Sequence, residues 1–247
     1  MLTETRQEEI LKLLDLKGSV TVQELKDLFD ASESTIRRDL NALHNKGVLV
    51  KVFGGAVKTE SRIQVKEEQV AKRIGQNTEE KQRIAQYAAS LIEPEDFVYL
   101  DAGTTTGAMI PYLTEKTVTY VTNAVSHALK LAENGFRVVL IGGELKASTE
   151  AIVGSEAYEN IQKYNFTKGF FGTNGVDKKA GFTTPDINEA IVKECAMKHT
   201  RAPYVLCDSG KFQQICPVRF GRFTDAQIVT DQCPEEWKKT ENNMILV

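Results

Sequence analysis

Beyond Asn77, short apolar runs alternate with stretches of helical periodicity, and this rhythm restricts the fold of the 247-residue chain more than any other feature. The runs are Phe97-Val98-Tyr99-Leu100, Val118-Thr119-Tyr120-Val121, Val138-Val139-Leu140-Ile141, Gly169-Phe170-Phe171, Tyr204-Val205-Leu206 and Ile228-Val229. Strands separated by helices have room for the crossovers that parallel pairing needs, so the pattern predicts an α/β domain on a largely parallel sheet. Asn77 and Glu80 have capping spacing and open this domain with an amphipathic helix through Ile84, Ala88, Leu91 and Ile92.

The first sixty residues read differently, as three helices and a hairpin. Ile10, Leu13 and Leu14 form the apolar stripe of the first helix, which Gly18 stops. Thr21 and Glu24 make a capping box for a second helix, whose Val22, Leu25, Leu28 and Phe29 are expected to face a core. After a turn at Asp30-Ala31, Ser32 caps a third helix that runs to about Asn45 and ends at Gly47. At about 100° per residue, Ile36, Leu40 and Leu43 of that helix share one side, and Ser34, Arg37, Arg38, Asn41 and Asn45 the other. Hydroxyls, amides and guanidinium groups on one outward face are the groups that read base edges and hold phosphates in a major groove. Val48 to Phe53, a Gly54-Gly55 turn and Ala56-Val57-Lys58 then predict a hairpin wing, with Lys51 and Lys58 near flanking phosphates. The division is 1–58 for this module, 59–76 for a linker and 77–247 for the α/β domain.

A formal net charge of -3 sits awkwardly with DNA, whose affinity for proteins comes largely from Lys and Arg. The charge is local, however. From Ser34 to Lys58 the ionised side chains are Arg37, Arg38, Lys46, Lys51 and Lys58 against Asp39 alone, which marks the footprint. So small a footprint predicts a modest salt dependence per subunit and a homo-oligomer, dimer or tetramer. Cys195, Cys207, Cys216 and Cys233 lack metal-ligand spacing and read as reduced thiols, with no metal or cofactor expected. No apolar run approaches the roughly 20 residues of a membrane span, so a cytoplasmic protein is expected.

Ala31-Ser32-Glu33-Ser34-Thr35-Ile36-Arg37-Arg38-Asp39-Leu40 resembles the DeoR family of bacterial sugar-responsive repressors. The likeness extends through the wing, where the family's Arg-x-His-Gly-Gly-Ala stands here as Lys51-Val52-Phe53-Gly54-Gly55-Ala56. Lys51 and Phe53 thereby lose the fork and the ring donor of Arg and His. Further on come Glu80-Lys81, Asp101-Ala102-Gly103-Thr104-Thr105-Thr106, Thr122-Asn123, Ile141-Gly142-Gly143, Gly154, Phe171-Gly172, Gly181-Phe182-Thr183 and Asp208-Ser209-Gly210-Lys211, in the family's order. Gly210 replaces the family's second Ser and removes one hydroxyl. The resemblance implies a winged helix-turn-helix joined to a domain with the fold of ribose-phosphate isomerases and glucosamine-phosphate deaminases. Its implied partners are double-stranded operator DNA, held through Ser32, Ser34, Thr35, Arg37, Arg38, Asn41, Lys51 and Lys58, and a phosphorylated sugar. Met1-Leu2-Thr3-Glu4 and Ala31 to Arg38 also resemble the fructose-operon repressors of Gram-positive bacteria, which implies fructose 1-phosphate as effector.

As chemistry, a small-residue loop running from Asp101 into a helix offers backbone N–H groups from Gly103 onward and the hydroxyls of Thr104, Thr105 and Thr106 to a phosphate. Asp101 lies at a strand's carboxyl end, where it would accept from sugar hydroxyls. A well-capped turn explains the same residues. Asn123, Gly142 and Gly143 follow other strands and are expected at the same edge, although each glycine alone reads as a turn. Lys211 brings a cation and Asp208 a partner for it; the competing reading is a solvated loop ion pair. Glu189 and Lys193, four apart on a helix that begins near Asp186, read by default as an exposed pair, with a site role as the less favoured alternative. An isomerase or deaminase with a DNA-binding appendage is the alternative function. Asp101, Asp186 and Asp208 would be its possible bases, but no second catalytic group accompanies them, so no catalytic residue is assigned.

Overall fold

The computed structural model describes residues 3–17, 19–45, 48–52, 54–58, 70–238 and 241–247, and the chain divides into two compact units, Met1–Arg62 and Ile63–Val247.

In the first unit, α1 (Thr3–Lys17), α2 (Val22–Phe29) and α3 (Glu33–Asn45) pack with a sheet of β1 (Ser19–Thr21), β2 (Leu49–Val52) and β3 (Gly55–Lys58). Ile10, Leu14, Leu25, Ile36, Leu40 and Leu43 are its core. The capping box forms as expected: the Glu24 N–H donates to Thr21 Oγ1 at 3.1 Å, and the Thr21 N–H reaches Glu24 Oε2 at 3.4 Å. Leu28 does not join the core; it is 58% exposed. On a helix this short Val22, Leu25 and Phe29 fall within about 60° of one another, and Leu28 lies roughly 90° away.

The wing has three strands in the order β1-β3-β2, the first of them unforeseen. Its turn is also shifted from the expected Gly54-Gly55. Gly54 turns with φ 82°, whereas Gly55 already pairs with Val52 on one side and Thr21 on the other. A Cβ at Gly55 would stand 2.1 Å from the Val20 carbonyl oxygen, so only glycine lets β1 approach. Phe53 and the expected helix stop signals Gly18 and Gly47 lie outside the described residues.

In the second unit the helices are α4 (Val70–Ile74), α5 (Thr78–Ser90), α6 (Thr104–Gly107), α7 (Val125–Glu133), α8 (Ser155–Ile161), α9 (Ile187–Lys198) and α10 (Glu235–Lys238). The strands are β4 (Phe97–Leu100), β5 (Thr119–Thr122), β6 (Arg137–Leu140), β7 (Glu144–Lys146), β8 (Ala151–Val153), β9 (Phe166–Gly172), β10 (Gly175–Asp177), β11 (Gly181–Thr184), β12 (Thr200–Leu206), β13 (Val218–Gly221), β14 (Gln227–Thr230) and β15 (Met244–Leu246). Seven form one sheet in the order β15-β14-β12-β9-β4-β5-β6, parallel throughout. One face packs Ile84, Ala88, Met109 and Leu131, and the other Ile161, Val192 and Ala196, so the strands are buried on both sides. A small antiparallel sheet β10-β11-β13 and the hairpin β7-β8 lie outside it.

Strand order determines where a ligand can sit. The chain adds β5 and β6 on one side of β4, then returns to place β9, β12, β14 and β15 on the other. Between β4 and β9 the winding reverses, and the loops leaving their carboxyl ends diverge to open a crevice.

Candidate functional site

On α3 the described side chains sort by chemistry. Ser34, Arg37, Arg38 and Asn41 are exposed, whereas Asp39, the acid within the basic footprint, is 2% exposed and bound to Arg6 Nε at 2.6 Å. The negative charge is therefore turned into the unit, away from the exposed face. Arg37 carries an i,i+4 ion pair with Glu33 at 2.7 Å; Arg38 makes none among the described residues. Ser32 takes the capping role, its Oγ accepting from the Thr35 N–H at 3.3 Å and lying 2.9 Å from the Thr35 hydroxyl. Lys51 Nζ donates to Asn41 Oδ1 at 2.7 Å, which ties the wing to the helix. Lys58 ends β3, opposite Leu49.

In the second unit the crevice at the ends of β4, β9 and β12 is a cleft lined by Arg73, Gln76, Asn77, Lys81, Ala102, Gly103, Thr104, Thr105, Gly172, Thr173, Asn174, Glu189, Lys193, Asp208 and Lys211. The turn after β4 forms its floor. Gly103 and Gly172 face each other so closely that a Cβ on Gly103 would stand 3.3 Å from the Gly172 Cα.

Asp101 is fully buried beneath this floor. Its Oδ2 accepts from the Gly172 N–H at 3.0 Å and from Lys193 Nζ, which also reaches the Gly172 carbonyl at 3.1 Å. Asp101 Oδ1 is buried with no hydrogen-bond partner among the described residues. Asp101 is thus an internal counter-ion, and the lysine it holds lines the cleft. The expected exposed pair of Glu189 and Lys193 is not one: they are 8% and 5% exposed. Glu189 Oε1 accepts from Thr149 Oγ1 at 2.6 Å and from Lys146 Nζ at 3.3 Å. The helix-surface rule fails because α9 packs on the sheet along that side.

Asn77 also departs from expectation. It adopts φ 49°, makes no side-chain cap for α5, and donates from Nδ2 to Asp208 Oδ1 at 2.8 Å. Asn tolerates the left-handed region, and here that conformation turns a capping residue into a wall of the cleft. The Gly210 N–H donates to the same Asp208 oxygen at 3.1 Å, while the Ser209 N–H anchors on Asp231 at 2.7 Å. The loop carrying Lys211 is held at both carboxylates.

Electrostatically the cleft is under-neutralised. With Lys193 neutralised by Asp101 beneath the floor, Arg73, Lys81 and Lys211 line it against Glu189 and Asp208. Burial pushes the Lys81 ammonium below its ordinary pKa; Asp208 opposes the shift, and Lys211 and Arg73 add to it. Lys81 Nζ is held by the Arg73 carbonyl, and Arg73 Nε is buried without a hydrogen-bond partner among the described residues. Such a cluster favours an anion that supplies the missing charge and acceptors.

The structure therefore brings together Gly103, Thr104, Thr105, Asp208 and Lys211 of the expected set, and adds Arg73, Asn77, Lys81, Glu189 and Lys193. Others have structural duties. The Thr106 hydroxyl donates to the Asp101 carbonyl at 2.6 Å and accepts from the Gly103 N–H at 3.0 Å. Asn123 Oδ1 takes the Ala102 N–H at 3.0 Å and the Tyr99 hydroxyl at 3.1 Å. Gly142 and Gly143 make the turn into β7 and do not line the cleft. The helix after the Asp101 loop has only four residues, so its dipole is small and the Thr104 and Thr105 N–H groups are what it offers. Asp186, one of the possible bases, is spent as the cap of α9 and as a partner of Lys146.

A transcription regulator is the class that a helix-turn-helix unit and a separate ligand-sensing unit define. The DeoR-like helix-turn-helix domain matches residues 6–62, and the DeoR C terminal sensor domain matches residues 76–232. The chain is 42% identical over 95% of its length to an uncharacterized HTH-type transcriptional regulator FruR of Bacillus subtilis, covering 93% of that protein. It is 36% identical to a lactose phosphotransferase system repressor of Staphylococcus epidermidis, over 87% of this chain and 88% of that one. The chain belongs to the DeoR family of transcriptional regulators, a non-enzymatic family. Among solved structures, ribose 5-phosphate isomerase A of Methanocaldococcus jannaschii is similar at TM-score 0.40 and 14% identity over 55% of each chain. The sorbitol operon regulator SorC of Klebsiella pneumoniae is similar at TM-score 0.40 and 10% identity, over 83% of this chain and 89% of that one. Among the described residues no helix is long and apolar enough to cross a membrane.

Proposed function

We propose that this regulator represses a sugar-utilisation operon as a homo-oligomer, and that fructose 1-phosphate in the cleft releases it from operator DNA. The observation that carries the reading is the excess of cations at the carboxyl ends of β4, β9 and β12. Arg73, Lys81 and Lys211 suit a phosphate, and Asp208, Asn77 and Thr104 suit sugar hydroxyls. The fructose assignment rests on the resemblance at residues 1–4 and 31–38 and on the likeness to the Bacillus FruR. Two recognition helices in an oligomer would fit two half-sites, and an effector that alters their spacing would break the fit.

Lys211→Ala tests the cleft. It is expected to bind operator as the wild type does and to lose release by fructose 1-phosphate, read as fluorescence anisotropy of labelled operator. Unchanged release would remove Lys211 from the site. On the DNA side, Arg38→Ala is expected to weaken operator binding by about 1–3 kcal/mol, and Arg37→Ala by less because Glu33 already holds that guanidinium. Equal affinities for wild type and both variants would mean that α3 is not the reading helix.

A further inference from the structure

A second and larger cavity borders the same Gly103–Thr104 turn. It takes in about 1110 Å³ of space outside protein atoms, counting the part open to solvent. Lys81, Gly103 and Thr104 line both cavities, and Thr149, in the wall of the second, is the residue hydrogen-bonded to Glu189 in the first.

The lining of this cavity is not that of the cationic cleft. Tyr112 supplies an aromatic ring, Gln82 an amide, Ser126 a hydroxyl, Glu150 a carboxylate and Lys130 an ammonium. The sixth group is His127, whose ring sits against Gly107, where a Cβ would stand 2.5 Å from Nε2. His127 is 7% exposed, and its Nδ1 is buried with no hydrogen-bond partner among the described residues. Buried ring nitrogens are normally satisfied, so His127 stands as a polar group held within the wall of the cavity. Burial pushes the His127 imidazole down to about 4, against hydrogen bonds to the Asp101 and Gly103 backbone, so the ring is neutral at physiological pH.

An aromatic ring beside amide, hydroxyl and carboxylate groups is a surface for a polyhydroxylated ring, whose C–H face stacks while its hydroxyls take the polar partners. Lys81 and Lys130 against Glu150 leave room for one negative charge. We propose that this cavity is a second ligand site, taking a sugar ring that bears at most one phosphate. It stands apart from the effector reading of the first cleft, whose phosphate cations other than Lys81 it does not share.

The test is a calorimetric titration of the full chain with fructose 1-phosphate, with free fructose and with inorganic phosphate. Wild type is expected to bind two molecules of the ester per chain. Tyr112 and Lys130 are exposed, so their replacement leaves the core intact. The double variant Tyr112→Ala/Lys130→Ala is expected to weaken one binding event by about tenfold and spare the other, while Lys211→Ala does the reverse. Absence of any event sensitive to Tyr112 and Lys130 overturns the proposal, as does displacement of that event by inorganic phosphate alone. A single event lost in the double variant and kept in Lys211→Ala would support the second site and sink the effector cleft.

Discussion

Lys193→Met is expected to destabilise the sensor unit by about 3–5 kcal/mol, because it strands a buried carboxylate. Asp101 and Lys193 have side chains only 1% and 7% exposed, and Asp101 Oδ1 already has no partner among the described residues. With the ammonium gone, Oδ2 keeps only the Gly172 N–H. Such a charge is worth far more when abandoned than its pair contributes when intact, since two buried charges largely repay only their own desolvation. The double variant Asp101→Asn/Lys193→Met should therefore recover much of the loss. Urea unfolding followed by Trp237, the chain's one tryptophan, reads this unit alone; it is 4% exposed and lies in α10. A loss below about 1 kcal/mol in Lys193→Met would show that water reaches Asp101 and that the pair is not buried.

Asp39→Ala is expected to have an effect of the same size in the other unit. It leaves the Arg6 guanidinium, in a side chain 9% exposed, without its carboxylate, and costs about 3–5 kcal/mol. At about 0.05–0.15 kcal/mol per residue, a module of this size has little stability beyond that. Operator binding should fail through unfolding of the helix-turn-helix, with the Trp237 transition unmoved. Asp39→Asn keeps an acceptor for Arg6 and should lose less. Normal operator binding by Asp39→Ala would mean that Arg6 finds water and that the ion pair is ornamental.

These two pairs show where sequence reading stops. Every apolar run seen in the sequence becomes a strand of the main sheet, because continuous apolarity records burial on two faces and needs no partner to be recognised. The strands that escaped notice are short; some are polar or glycine-containing, such as Ser19–Thr21 and Gly181–Thr184, and others, Ala151–Val153 and Met244–Leu246, are apolar runs of only three residues, and their register is set by segments elsewhere in the chain. The site divides in the same way. The Gly103–Thr105 turn and the Asp208–Lys211 loop announce themselves after apolar strands. Arg73, Asn77 and Lys193 do not, since their convergence depends on β4 lying beside β9. The spacing of Glu189 and Lys193 fits a surface ion pair and a buried wall equally well, and only Asp101, 92 residues from Lys193, decides between them. Composition alone marks the basic residues around α3 as the expected footprint, but the inward turn of Asp39 is not visible there.

The proposed function has the chain hold operator DNA through α3 and let go when a sugar phosphate enters the cleft of its sensor unit. Anisotropy of labelled DNA from upstream of the adjacent sugar operon, titrated with the full chain with and without fructose 1-phosphate, measures this directly. Affinity is predicted to fall by about 5- to 150-fold when the ester is present, the range of ordinary allosteric coupling. An affinity indifferent to fructose 1-phosphate and to every other sugar phosphate tried would contradict it.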